Sequence, residues 1–209
     1  MLDLPLFPLN VVLYPDERLP LHIFEPRYRS MVARCLRDDT PFGLLLSDPE
    51  GRLADVGCTA RLDRILERYP DGRLDILVRG ETRFRVDTLH ERHAYLSADV
   101  VFVHEPAEDV QRPLAERAIT QHMRLLELAG RAIRPSLYTT PFVSYVIAHN
   151  SGLTNGQKQE VLELLTENLR IAYLVAHLEA LIPRVEKEED TRRKVQSNGH
   201  FRDFLPNEE

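Results

Sequence analysis

A carboxylate and a guanidinium stand two residues apart in "LPLHIFEPRY" (19–28), where an apolar run gives way to Glu25, Pro26, Arg27 and Tyr28. Such a pair can act as general acid and base. It can equally be a corner whose charges only hold the chain, and that is the stronger reading here. "TRFRV" poses a similar choice. Arg83 and Arg85 flank Phe84, so they either face solvent opposite a buried ring or bind an anionic substrate, the first being favoured. His90 and His93 are closely spaced but have no nearby cysteine or third ligand, and read as a polar loop. Only three lysines occur, Lys158, Lys187 and Lys194, all in polar or charged sequence that would not depress an amine pKa. A Ser–Lys dyad, which needs a desolvated lysine, therefore has no support. No GxxxxGK[ST], GxGxxG, GxSxG or HExxH motif is present. Cys35 and Cys58 lack metal-ligand spacing and read as buried free thiols. The expectation is no catalytic residue, no metal and no cofactor.

The elements around these residues begin as strands. "LPLHIF" is β-compatible, and "FGLLLS" (42–47) is a continuous apolar run suited to a buried strand. "VVLY" (11–14) is a shorter run of the same kind. "CTARLDRILERY" (58–69) fits either a helix or a strand, but the "PDG" turn signal at 70–72 and the alternating "RLDILVRG" after it predict a hairpin. "TRFRVDTL" and "AYLSADVVFV" continue the series. One helix interrupts it: Tyr28, Met31, Val32, Cys35 and Leu36 recur at helical spacing from Pro26. Proline suits the first turn of a helix and pushes the preceding Glu25 to an extended conformation. From residue 105 the pattern is helical. Leu114 to Ala129 predict one helix, 140–150 a second, 153–165 a third with a Thr154–Gln157 capping box, and 168–182 a fourth that should bend or stop near Pro183.

Composition excludes several classes. With 43% hydrophobic and 29% charged residues the chain reads as an ordinary globular protein. No apolar run approaches the roughly 20 residues of a membrane span. The N-terminus has an acid at Asp3 and no basic n-region, so the expected compartment is the cytoplasm. The net charge of −6 divides evenly, −3 on each side of residue 104, and no cationic run exceeds "RRK" (192–194). The basic face of a nucleic-acid binder is missing.

In order, "LPLFPLNVVLYP", "LPLHIFEPRYRSMV", "GCTARL", "PDGRLDILVRG" and "TRFRV" resemble the N-terminal domain of the Lon protease family. The likeness extends to the free-standing bacterial proteins made of that domain alone. "GQKQEVLELLTENLRIAYL" is similar to the family's following helical segment, so the resemblance covers most of 4–182. Asp16 departs from it, standing where the family commonly has glycine. The resemblance implies an α+β architecture: a PUA-like β-barrel with one inserted helix over 1–104, a helical bundle over 105–190, and a polar tail over 191–209. It implies recognition of protein partners or unfolded peptide segments. It also marks Glu25, Pro26, Arg27, Tyr28, Asp71, Gly72, Gly80, Arg83 and Phe84 as signature residues with structural roles. Full-length members carry ATPase and Ser–Lys protease modules after this region, and this sequence ends before either would begin. Two other classes stay open: RNA binding, known among PUA-like barrels, and a hydrolase with an unrecognised site.

Overall fold

Two prolines, Pro5 and Pro8, lie inside the first strand, β1 (Asp3–Leu9), and hide it from a propensity-based reading. It forms because both its neighbours are supplied by tertiary structure: β3 (Phe42–Leu46) pairs with it in parallel and β6 (Ser97–Phe102) antiparallel. The computed structural model describes residues 3–199. Between these strands run β2 (Arg18–Ile23), α1 (Pro26–Asp38), β4 (Val56–Arg68) and β5 (Leu74–His90). The sheet order is β2-β5-β4-β3-β1-β6, and β6 returns to pair with β5. Five strands thus close a near-barrel ring, with β2 hung outside it. The expected barrel with its inserted helix is present.

The 17-residue β5 makes this closure possible. Its first half pairs with β2 through Leu74–Arg79, and its second half with β6 through Phe84–His90. "RLDILVRG" and "TRFRVDTL" are therefore one strand. "VVLY" forms none: Val12, Leu13 and Tyr14 are buried in the loop after β1.

All five strands of the ring contribute to one core. Leu4, Leu6, Leu45, Phe84 and Ala98 form a buried cluster, and Gly57 of β4 faces it across from Phe84. Only the inner face of a closed ring is shared by all its strands, so this cluster fills the ring. Space there is short. A Cβ on Gly43 would stand 2.6 Å from Phe84 Cζ, and one on Gly57 would stand 2.7 Å from the same atom. Two residues without side chains make room for one phenyl ring.

The other face is covered by α1. Tyr28, Met31, Val32 and Cys35 pack with Phe7, Phe42, Leu44, Cys58, Ile76 and Val78. Glu25 precedes the helix with extended backbone (ψ 134°), and Pro26 opens it, as their order in the sequence predicts. Cys35 and Cys58 are buried free thiols, and burial pushes both pKa values up.

The contacts define two compact units. One takes the chain up to Glu108 and returns for Ala148–Thr166, which includes α4 (Asn155–Glu163). The expected capping box holds α4: Gln157 N–H donates to Thr154 Oγ1 (3.3 Å), and Thr154 N–H donates to Gln157 Oε1 (3.0 Å). The other unit takes Asp109–Ile147 and the chain from Glu167 onward. There α2 (Arg112–Leu128) packs along α5 (Glu167–Gly199). The short helix α3 (Val143–Asn150) precedes α4.

Helix α5 does not stop at Pro183. A proline in a helix interior removes one hydrogen bond and costs about 3 kcal/mol. Contacts with α2 span the break: Arg117 pairs with Glu179 before it, and Arg124 Nη2 lies 2.8 Å from Glu186 Oε1 after it. The final residues of the expected polar tail, 200–209, lie outside the described residues. No helix among the described residues is long and apolar enough to cross a membrane.

Two expectations follow. Gly43→Ala should cost roughly 1–3 kcal/mol by overpacking. Adding Phe84→Leu to it should cost less than the two single changes together, because the pair shares one space. Urea melts of the three variants measure this. The second concerns His122 on α2. It is 1% exposed, its Nδ1 lies 2.9 Å from Tyr138 Oη, and its Nε2 has no hydrogen-bond partner among the described residues. Burial depresses its pKa to about 4. The folded pKa lies below the unfolded value near 6.5, so the neutral ring's stability is fully present above pH 6.5 and is lost towards pH 4. Between pH 7 and 5 the wild type should lose about 2 kcal/mol more than His122→Leu, read from thermal melts at both pH values.

Candidate protein-binding groove

The signature residues fall into three local structures. Arg83 and Phe84 are both buried although they are adjacent on β5. Phe84 fills the ring, so Arg83 points the other way. It is not solvent-facing: residues 162–165 cover it, and only 2% of it is exposed. Its Nη1 donates to the carbonyls of Leu162 and Leu164 at 2.7 Å each, and its Nη2 to Leu165 O at 3.2 Å and Glu105 Oε1 at 3.0 Å. The last carbonyls of a helix have no partner within it. A cation placed there satisfies them and complements the helix dipole. Arg85, two residues further along β5, is exposed as expected.

Gly80 forms the second structure. A Cβ there would stand 2.1 Å from Tyr14 O. The space is needed because the Tyr14–Glu17 turn docks on β5: Asp16 N–H donates to Gly80 O and Gly80 N–H to Glu17 O, both at 2.9 Å. Asp16 occupies this turn at φ 63°, the left-handed region that glycine favours and aspartate tolerates. The departure from the family pattern leaves the glycine-like conformation intact. Asp16 also pairs with Arg79.

The third structure is an open groove of about 550 Å³. Pro26, Arg29, Ser30 and Ala33 of α1 form one wall; Arg68, Tyr69, Gly72 and Leu74 of the β4–β5 hairpin form the other. Six signature residues belong here: Pro26 and Gly72 line it, and Glu25, Arg27, Tyr28 and Asp71 adjoin them. Glu25 Oε2 accepts from Arg27 Nε at 2.8 Å, a half-exposed pair at the helix start, and Arg27 lies over the Tyr28 ring at 4.5 Å. Asp71 and Gly72 make the hairpin turn. Gly72 takes φ 85°, and Asp71 Oδ1 accepts from Arg73 N–H at 3.1 Å. That bond and the Arg73 guanidinium hold the Asp71 carboxyl below its ordinary pKa.

The hairpin wall is fixed by a polar cluster. Tyr69 Oη lies 2.8 Å from Asp75 Oδ2 and 3.1 Å from Glu67 Oε2, and His22 Nδ1 lies 2.5 Å from Asp75 Oδ1. The hydrogen bond to Asp75, then desolvation, pushes the Tyr69 phenol up to about 12. The His22 bond, then the Tyr69 bond, holds Asp75 below the ordinary carboxylate range. Exposed Phe24 stacks on His22 at 5.8 Å. These titratable groups are tied to one another and none is an activated nucleophile. His90 and His93 pair with Asp99 and Asp3, and no metal-ligating cluster occurs among the described residues.

Comparison with known proteins decides the family. The model for the ATP-dependent protease La (LON) substrate-binding domain matches residues 3–180. The chain belongs to this family. It is 30% identical to Lon protease from Escherichia coli K12 and 26% identical to that of Vibrio parahaemolyticus, aligned over all of this chain in each case. It spans about 29% of the length of both relatives. Among solved structures, a Lon N-terminal domain protein from Xanthomonas campestris superposes with TM-score 0.69 at 29% identity, covering 84% of this chain and 98% of that one. The N-terminal domain of Mycobacterium avium complex Lon protease shares the fold at TM-score 0.59 and 20% identity, covering 85% and 98%. What is matched is the non-catalytic, substrate-binding region of the family. Arg29, Arg68 and Tyr69 escape sequence reasoning because a helix and a hairpin some forty residues apart build the groove.

Replacing Arg83 by Met should cost on the order of 3–5 kcal/mol, because Glu105 and the end of α4 lose their shared cation. Chemical melts compared with the exposed control Arg85→Met check this, and the control should change by less than about 0.5 kcal/mol.

Proposed function

We propose that this chain is a non-enzymatic module that binds proteins or unfolded peptide segments, as a substrate-recognition domain of the Lon type. The family match over residues 3–180 carries the reading. The structure supports it in two ways. The groups beside the groove whose pKa values are shifted, Tyr69, Asp71 and Asp75, are committed to hydrogen bonds in the turn and hairpin, not arranged around a nucleophile. The groove beside α1 offers an open, partly apolar surface of the kind that accepts a side chain of a partner.

On this reading Glu25, Pro26, Arg27 and Tyr28 are scaffold: they aim α1 and set the position of one groove wall. Asp71 and Gly72 set the other. Gly80, Arg83 and Phe84 hold the turn, the end of α4 and the ring interior. The net charge of −6 argues against the RNA-binding alternative.

The test uses purified full chain and fluorescein-labelled casein, a permanently unfolded protein. Casein should be bound and left intact, and ATP should not be hydrolysed. Turnover of either that persists through repeated purification contradicts the proposal. Glu25→Gln should keep casein binding and lose less than about 1 kcal/mol of stability, the range of an exposed pair. A variant that is equally stable but no longer binds casein would make Glu25 a contact residue.

A further inference from the structure

Arginines around the groove differ in their partners. Arg27 is paired with Glu25 at 2.8 Å and Arg73 with Asp71 at 2.7 Å. Arg29 and Arg68, which stand on opposite walls, have no carboxylate within 4.0 Å among the described residues. Arg29 is held low over the hairpin turn: its guanidinium occupies the space where a Cβ on Gly72 would be. The residues lining the groove therefore carry two cations and no acid, in a chain of net charge −6. The same walls carry apolar side chains, Pro26 and Ala33 on α1 and Leu74 on the hairpin, beside the hydrogen-bonded Tyr69 ring.

We infer that the groove between α1 and the β4–β5 hairpin selects protein segments in which an acidic side chain sits among apolar ones, the carboxylate lying between Arg29 and Arg68. This rests on the reading of the chain as a protein-binding module and names the segment that it prefers. Guanidinium groups bind carboxylates through paired hydrogen bonds, and charge complementarity across an interface selects between partners. The apolar wall residues fit the neighbouring side chains. A nucleic-acid strand fits less well, because its run of phosphates would extend past Arg29 and Arg68 to Glu25, Glu67, Asp71 and Asp75 nearby, whereas a short acidic stretch is confined to the two arginines. The free edge of β2 is a poorer site for strand addition, since Pro20 within it has no N–H to donate.

Fluorescence anisotropy of the full chain with three labelled peptides tests the inference. The peptides alternate leucine and serine around a central Glu-Glu, Gln-Gln or Lys-Lys pair. Wild type should bind the Glu peptide about tenfold tighter than the Gln peptide, as two exposed ion pairs allow, and less so in high salt. R29Q/R68Q, with an unchanged melt, should bind both alike. R29E/R68E should prefer the Lys peptide. Equal wild-type affinity for the Glu and Gln peptides, or an unchanged preference in R29Q/R68Q, overturns the inference while casein binding leaves the module reading standing. Displacement of the Glu peptide by single-stranded RNA with greater affinity also overturns it. Binding of no peptide and no casein overturns both.

Discussion

The Arg83 guanidinium is the interaction on which the strand-containing unit depends. It is a buried cation on the outer face of a closed ring, and it meets three carbonyls and one carboxylate that arrive from 105 and 162–165. Once residues 162–165 are fixed there, α4 lies against the ring, where Gln159 Nε2 donates to Val56 O (2.9 Å) and Asn155 Nδ2 to Asn10 O (2.8 Å). Tyr14 Oη donates to Lys158 O at 3.0 Å, which ties the loop after β1 to the same helix. That loop leads into the turn docked on Gly80. A single strand, β5, thus supplies the phenyl ring that fills the barrel, the cation that caps α4 and the glycine that receives the turn.

Features set by neighbours in sequence were legible. The α1 stripe, the Thr154–Gln157 capping box and the "PDG" hairpin depend on spacings of one to eight residues, and all three form, except that Leu36, expected at the end of the stripe, is exposed. Features set by distant partners were not. Arg83 reads as solvent-facing on an alternating strand because its carbonyl partners lie some eighty residues away. β1 is masked by its prolines and is rescued by pairing on both sides. Pro183 reads as a helix stop, yet ion pairs to α2 flank it. Gly43 and Gly57 carry no signal alone, since their role is defined by the ring of Phe84. The family resemblance supplied the architecture that periodicity could not, and the groove came only from the structure.

The groove is lined both by stretches that carry the resemblance, through Pro26, Arg29, Ser30, Gly72 and Leu74, and by Ala33, Arg68 and Tyr69 outside them. Glu25, Tyr28, Asp71 and Gly72 fix where α1 and the hairpin tip stand. Arg29, Arg68 and Tyr69 project from those supports into the open space. Side chains on such a rim can be replaced without disturbing a packed core.

Hydrogen–deuterium exchange of the full chain, with and without saturating casein, tests the central claim most directly. The account predicts that the non-proline amides of 27–33 and 68–74 gain protection on binding while those around Arg83 in β5 do not change. Protection confined to other surfaces, with both groove walls exchanging as in the free protein, would contradict it.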